Sequence, residues 1–440
     1  MWLLPHLPAI SGAAIRAYYR ASRDGGSVPA TGPVLLVANH PNALLDPALL
    51  AWAARRPVRF LAKAPLFTHP IVGWLIRGSG SLPVYRAQDD PALMDKNEDT
   101  FRAVFDALAA GSAAALFPEG ISHSEPGMTP LKTGAARIAL GSVARTGVPF
   151  PIIPIGLVFR EKDVFRSDAH AVVGAPIEWS DIAMRGAEDR EAVRELTDRI
   201  DRGMRAITLN LARWEDEPVV RTAEAVWAVS RKADPSPSAH VARLTVATDG
   251  LAKLRAREDK QWDTLARDVR EHARLLDVLR VAPADVEADN SLSTAGRWAF
   301  RRFTLLGALQ FTLAALAMIV FWIPYRVTDL LASAVEKTRA GIATYRVIGG
   351  VMVFGVWTLL AALVIAGRFG WLASGLSLVV LPALGIAGLY AVDHWRDTIG
   401  TARRWMTLRR RDPRIGALRE RQRELADRLD AALAALNGHT

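Results

Sequence analysis

Two long apolar stretches, 347–366 and 371–392, follow one another with a single charge, Arg368, in the connection between them. Each is long enough to cross the hydrocarbon core of a bilayer, which takes about 20 residues of helix. Inside lipid only a helix or a closed barrel satisfies its own backbone, so the pair predicts a helical hairpin. Arg339 and Arg346 precede it, and ten arginines between Arg396 and Arg423 follow it, which sets both of its ends in the cytoplasm. A third apolar segment, 303–323, contains Gln310, is preceded by Arg301 and Arg302, and leaves through Pro324-Tyr325-Arg326. Basic residues at both ends predict that it dips in and returns, or else that the pair after it decides the topology. The expectation is a multi-pass membrane protein with two full spans and one shallow segment, its working parts on the cytoplasmic face.

Ahead of these segments the chain reads as α/β. From about 29 to 177 short apolar runs alternate with helical patterns, with strands expected at 34–38, 58–62, 81–85, 113–117, 152–158 and 171–173 and helices near 47–55, 97–110 and 134–144. With 440 residues the chain exceeds one typical domain. Five regions are expected: a membrane-associating segment at 1–25, an α/β domain at 26–180, a charged helical region at 181–300, a transmembrane region at 301–395 and a basic cytoplasmic helical tail at 396–440. The first holds Trp2, Leu3, Leu4 and Ile10 but is broken by Pro5 and Pro8, so it suits the membrane surface rather than a span. A plain core helix is the competing reading. In the helical region, 191–214 and 251–281 are helix-periodic, and Pro235-Ser236-Pro237-Ser238 marks a break between helical groups.

The chemistry concentrates in the α/β part. Val34 to Ala38 is an apolar run closed by Asn39-His40, a buried strand ending where open α/β sheets place their reactive groups. Asp46 stands six positions after His40, beside Pro47 at the start of a helical run. A carboxylate there can hydrogen-bond the far imidazole nitrogen, fix the tautomer and stabilise the imidazolium formed when His40 accepts a proton. A structural histidine beside an unrelated helix-start carboxylate would look the same. Three further segments bear on the choice. Gly80-Ser81-Leu82-Pro83-Val84-Tyr85-Arg86 puts a guanidinium at a strand exit, suited to bidentate capture of a phosphate or to plain exposure. Ala113 to Leu116 runs into Phe117-Pro118-Glu119-Gly120, followed by Ser122, His123 and Ser124 and then by Lys132, Thr133 and Gly134 at a helix start; a solvated turn is the competing reading. Val148-Pro149-Phe150-Pro151-Ile152-Ile153-Pro154-Ile155-Gly156-Leu157 is a proline-punctuated strand.

In that order the four blocks resemble the glycerolipid acyltransferase superfamily, relatives of bacterial 1-acylglycerol-phosphate acyltransferase. The resemblance covers about the first 180 residues and includes Phe165-Arg166-Ser167 and Gly174-Ala175-Pro176-Ile177. The superfamily places four residues between its His and Asp, whereas His40 and Asp46 enclose five, Pro41 to Leu45. That longer form, with Asn42 two after the histidine, is similar to fungal-type glycerol-3-phosphate and dihydroxyacetone-phosphate acyltransferases and their bacterial relatives. The resemblance implies a glycerolipid-acyltransferase-like sheet flanked by helices, with a helical region and a helical membrane segment after it. It implies a membrane-bound O-acyltransferase of phospholipid synthesis, with glycerol 3-phosphate or dihydroxyacetone phosphate favoured over lysophosphatidic acid as acceptor.

Residue by residue, His40 and Asp46 are the expected base and its orienting acid, Arg86 the grip on the acceptor phosphate and Lys132 a second cation. Glu119 either orients a glycerol hydroxyl or braces its loop, and backbone amides around Gly80 or Gly120 are candidates for the oxyanion. The donor is an acyl thioester on coenzyme A or acyl carrier protein, a co-substrate rather than a bound cofactor, and no cluster has convincing metal-ligand spacing. The chain has no cysteine, which removes a thiol-linked intermediate, and Gly120-Ile121-Ser122-His123-Ser124 lacks the final glycine of a serine nucleophile elbow. The net charge of +10 lies beside apolar segments, fitting anionic membrane lipids rather than nucleic acid. The alternative to an enzyme is a non-catalytic lipid-binding membrane protein; an intact His40, Asp46, Arg86 and Glu119 set argues against it, since a binder needs no base.

Overall fold

A computed structural model describes residues 1–86, 90–256, 260–289, 291–409 and 413–437. Arg410 and Arg411 of the basic tail lie outside the described residues, as do 257–259 of the helix-periodic stretch 251–281. The chain divides into two compact units, one of Met1–Asn210 with Ser236–Thr245 and Thr338–Thr344, the other of Leu211–Pro235, Val246–Lys337 and Tyr345–Thr440.

The first unit is α/β. In chain order it holds α1 (Leu7–Tyr18), β1 (Arg20–Gly25), β2 (Val34–Ala38), α2 (Leu45–Ala54), β3 (Val58–Lys63), α3 (Pro70–Gly78), β4 (Leu82–Val84), α4 (Asn97–Ala109), β5 (Ala113–Leu116), α5 (Gly134–Thr146), β6 (Ile152–Phe159), β7 (Asp168–Val173) and α6 (Arg190–Arg205). The strands form one seven-stranded sheet in the order β1-β7-β6-β2-β5-β3-β4. Every pairing is parallel except β6 with β7. All six expected strands are present within a few residues of their expected ends, and β1 is added to them.

β2 lies at the centre because its run of five apolar residues is buried on both faces, as strands of a helix-covered parallel sheet must be. β5, of three alanines and a leucine, is equally buried and allows the covering helices to come close. The core combines Leu35, Val37, Leu108, Ile138, Leu140 and Ile152 with Ala192, Val193, Leu196, Ile200 and Met204 of α6. The sheet's core therefore runs past residue 180. The buried positions of α6 recur at three- and four-residue spacing, one face of a helix.

The second unit is helical: α7 (Glu217–Ser230), most of α8 (Pro237–Ala256), α9 (Lys260–Leu279), α10 (Pro283–Glu287), α11 (Leu292–Arg302), α12 (Leu305–Val335), most of α13 (Arg339–Arg409) and α14 (Pro413–Asn437). α12 and the 341–409 part of α13 are long and apolar enough to cross a membrane. α13 is interrupted at Gly370 (φ 85°, ψ 171°), a conformation essentially closed to other residues. There it folds back: Ser374 Oγ donates to the carbonyl of Ala362 at 2.8 Å, whereas twelve residues of straight helix would separate them by about 18 Å. The expected hairpin is thus formed, with Arg368 beside its bend.

The expected shallow, returning segment takes a different shape. α12 is one continuous helix that runs through Pro324 to Val335. Proline removes one backbone donor but does not stop a helix whose neighbours hold it. Those neighbours are on the hairpin: Phe321 stacks on Phe354 with ring centroids 5.7 Å apart, and Arg346 pairs with Asp329 at 2.7 Å.

Candidate active site

His40 leaves the sheet just beyond β2, at a point set by Asn39. The Asn39 amide donates to the Leu157 carbonyl at 3.0 Å and accepts the Leu157 N–H at 2.7 Å, adding one side-chain rung to the β2–β6 ladder. β2 ends there and the chain turns outward. Asn42 closes a tight turn by accepting the Leu45 N–H at 3.1 Å, and α2 begins at Leu45. Ala43, inside that turn, has φ +46°, in the left-handed region, and its N–H donates to Ser122 Oγ at 3.0 Å. The turn brings Asp46 back onto the imidazole despite the five intervening residues: His40 Nδ1 lies 2.7 Å from Asp46 Oδ2.

The pair is asymmetric in its exposure. Asp46 is fully buried and its Oδ2 also accepts the Asn42 N–H at 2.6 Å, while the His40 side chain remains 20% exposed. Burial is the largest influence on the Asp46 carboxyl and holds its pKa above the ordinary range, against the opposing pull of His40. With Nδ1 bonded to the carboxylate, Nε2 is the imidazole atom left to face a substrate. The ring lies flat on Phe117, centroids 4.2 Å apart and planes 16° from parallel, so the phenylalanine of the Phe-Pro-Glu-Gly block holds its plane. Asn42 is anchored in turn by Tyr19, whose hydroxyl accepts from the Asn42 amide at 2.7 Å.

Glu119 reaches the same place by strand register. Val37 of β2 pairs with Leu116 of β5, and the third residue on from each is His40 and Glu119. Glu119 Oε1 accepts the His40 N–H at 3.0 Å. Its Oε2 accepts the N–H and hydroxyl of Thr129, at 2.9 and 3.2 Å, and the Nε2 of His123. At 3% exposure, with both oxygens engaged, Glu119 braces the loop, and the geometry favours that role over a contact with a glycerol hydroxyl.

Arg86 and Lys132, far apart in sequence, meet at Gly120. Arg86 Nη1 donates to the Gly120 carbonyl at 2.8 Å, and a Cβ placed on Gly120 would lie 2.8 Å from Lys132 Nζ. Gly120 has φ +74°, so its backbone conformation calls for glycine, and a Cβ there would also make the end of the Lys132 side chain shift. The amides of Gly80 and Gly120 themselves are engaged, Gly80 N donating to Arg77 O at 3.2 Å and Gly120 N to Phe117 O at 2.9 Å. These two expected oxyanion donors already hold turns together. Ser122 accepts from Ala43 in an extended loop rather than sitting on a strand-to-helix elbow.

Two contributors escape a sequence reading. His123 stands four residues after Glu119 in what looks like a solvated turn. Lys162 follows β6, and its ammonium lies 3.5 Å from the His123 carbonyl and from Ser124 Oγ. No spacing rule links either to His40; only the sheet order brings them there.

Residues 22–158 match the acyltransferase family model. Glycerol-3-phosphate O-acyltransferase 2 of Saccharomyces cerevisiae is 31% identical over 145 residues, 32% of this chain and 20% of that protein. The 1-acyl-sn-glycerol-3-phosphate acyltransferase BAT2 of Brassica napus is 29% identical over 147 residues, 33% of this chain and 39% of that one. The crystal structure of the 1-acyl-sn-glycerophosphate acyltransferase PlsC from Thermotoga maritima aligns at a TM-score of 0.35 and 19% identity, covering 46% of this chain and 77% of the other. The chain thus spans only a minor part of the two curated relatives' lengths. The segment that matches the acyltransferase family model, 22–158, holds the whole constellation from His40 to Lys132.

Proposed function

We propose that this protein is a membrane-bound O-acyltransferase that moves a fatty acyl group from a thioester to a hydroxyl of a glycerol phosphate. The observation that carries the reading is the His40–Asp46 pair at the end of the central strand, with two cations converging on Gly120 in the adjacent loop. His40 Nε2 takes the proton of the acceptor hydroxyl as its oxygen attacks the thioester carbonyl. The resulting imidazolium is stabilised by Asp46. A carbon–oxygen bond forms, the tetrahedral intermediate collapses with loss of the carbon–sulfur bond, and the proton passes from His40 to the departing thiolate. Arg86 and Lys132 hold the acceptor's phosphate. Coenzyme A or acyl carrier protein delivers the acyl group, and the chain's own part in the chemistry uses no bound cofactor.

Glycerol 3-phosphate is the favoured acceptor and dihydroxyacetone phosphate the next. The five-residue interval between His40 and Asp46 and the yeast glycerol-3-phosphate O-acyltransferase among the relatives support that order over lysophosphatidic acid. α12 and the α13 hairpin anchor the protein in the bilayer that receives the product, with the hairpin's arginine-flanked ends in the cytoplasm. In a bacterium this is the inner membrane, where the basic tail meets anionic lipids. The test is thiol release by the purified full chain with palmitoyl-coenzyme A or palmitoyl-acyl carrier protein and the three acceptors in parallel. The wild type is expected to prefer glycerol 3-phosphate and His40→Ala to lose at least about 10³ in rate, the scale of general-base and orientation effects together. Full activity in His40→Ala refutes the mechanism, and a strong preference for lysophosphatidic acid refutes the acceptor.

A further inference from the structure

We infer that His123 is a positioning residue for the proposed transfer, acting through Glu119 to fix the main chain of His40. The inference rests on His40 being the base. It begins from the tautomer of His123. Nδ1 accepts the backbone N–H of Glu125 at 3.1 Å, so that nitrogen carries no proton and the proton sits on Nε2. Nε2–H points at Glu119 Oε2 and donates to it. His40 holds the opposite tautomer, with Nδ1–H on Asp46 and the Nε2 lone pair free for a proton. The two histidines therefore divide the work: one accepts from substrate, the other donates to a buried carboxylate.

The connection from His123 to His40 is a closed ring. Glu119 Oε1 accepts the His40 N–H at 3.0 Å, and the backbone N–H of His123 donates to the His40 carbonyl at 3.2 Å. His40 is thus held at its amide by the Glu119 side chain, which His123 orients, and at its carbonyl by the His123 main chain. Ala43 N–H on Ser122 Oγ adds a third tie between the same two loops. These ties matter because this stretch of chain has no ladder to hold it. β2 ends at Ala38, and Pro41 has no N–H to give. Reacting groups held within about 1 Å of the productive position lose on the order of 10²-fold when misplaced by that much. The two ring nitrogens of His123 bond to Glu119 and to the Glu125 N–H rather than to the His40 imidazole or Asp46, so its loss acts on kcat through geometry and not on the groups that hold the acceptor.

Three variants of the full chain test this: His123→Leu, His123→Gln and His123→Asn. Glutamine carries an amide N–H at the distance of Nε2 and reaches Glu119, whereas asparagine carries it at the distance of Nδ1 and falls short. Kinetics are measured by thiol release with varied acceptor, alongside thermal unfolding and His40→Ala as reference. The expected result is a drop in kcat of about 10- to 100-fold for His123→Leu and His123→Asn, with KM for the acceptor within about threefold and recovery to within about fivefold of wild type in His123→Gln. Should His123→Leu fail to fold, the Gln–Asn comparison decides alone. Wild-type kcat in His123→Leu, or equal kcat in the Gln and Asn variants, overturns the inference. Activity retained in His40→Ala overturns the underlying reading instead, so the two failures are distinguished.

Discussion

Replacing Asp46 with asparagine removes one charge and almost no volume. While His40 is neutral the change is slight. Once His40 carries the acceptor's proton, an imidazolium faces a carboxylate whose Oδ2 lies 2.7 Å from Nδ1. With charge centres about 4 Å apart and an effective dielectric constant of about 20, that attraction is worth about 4 kcal/mol. It exists only on the way to the transition state, so its loss falls on kcat, and at about 1.4 kcal/mol per factor of ten the expected drop is about 10³. Stability should respond differently. Burial raises the folded-state pKa of Asp46 above its unfolded value, so its contribution to stability is complete below the ordinary carboxylate range and is lost as pH rises through the folded value. Asparagine does not titrate, and the melting temperature of Asp46→Asn relative to wild type should therefore shift upward between about pH 4 and neutrality. Thiol release at saturating substrate, with melting curves over that pH range, reads both effects. A folded Asp46→Asn protein within tenfold of wild-type kcat would refute the argument, because the His40 imidazolium would then not depend on this carboxylate.

Two further outcomes follow from the convergence at Gly120. Arg86→Lys keeps the charge but loses the fork that grips the Gly120 carbonyl while facing a phosphate, and is expected to raise KM for the acceptor about tenfold with a smaller change in kcat; an unchanged KM in initial-rate measurements would separate Arg86 from the phosphate. Gly120→Ala places a methyl 2.8 Å from Lys132 Nζ, so the lysine must shift, and imposes a left-handed conformation costing about 1 kcal/mol or more, so both a lower melting temperature and a higher acceptor KM are expected. A normal KM there would exclude Lys132 from acceptor binding.

Elements whose apolar residues face the core were legible in the sequence, and those held by polar contacts were not. β2, β5 and β6 are nearly continuous apolar runs because both faces of a central strand are covered. β1, Arg-Ala-Ser-Arg-Asp-Gly, has no such signal. It is an edge strand fastened to β7 by cross-strand polar pairs, Arg20 with Asp168 at 2.9 Å and Ser22 Oγ with His170 Nδ1 at 2.5 Å, an arrangement that composition cannot reveal. α12 failed as an expectation for a related reason: Pro324 and flanking arginines are local signals for a break, while the contacts that carry the helix through, Phe321 on Phe354 and Arg346 on Asp329, come from residues far along the chain.

The same division runs through the site. His40 and Asp46 are six residues apart, and one turn decides whether they meet, so their pairing could be argued from spacing alone. The brace on His40 depends on which strand lies beside β2. With β5 parallel to it and Val37 opposite Leu116, Glu119 arrives level with His40; a shift of one residue in that register would send alternate side chains to opposite faces and point its carboxylate away from the His40 amide. β2 and β5 are apolar on both faces, so their pattern alone does not choose this register; it is the observed pairing of Val37 with Leu116 that brings Glu119 level with His40. The site's precision is therefore inherited from packing several residues away from any group that reacts. A substitution such as Ala115→Val, deep in the sheet, would be expected to act on kcat through the His40 amide before it acted on any substrate contact.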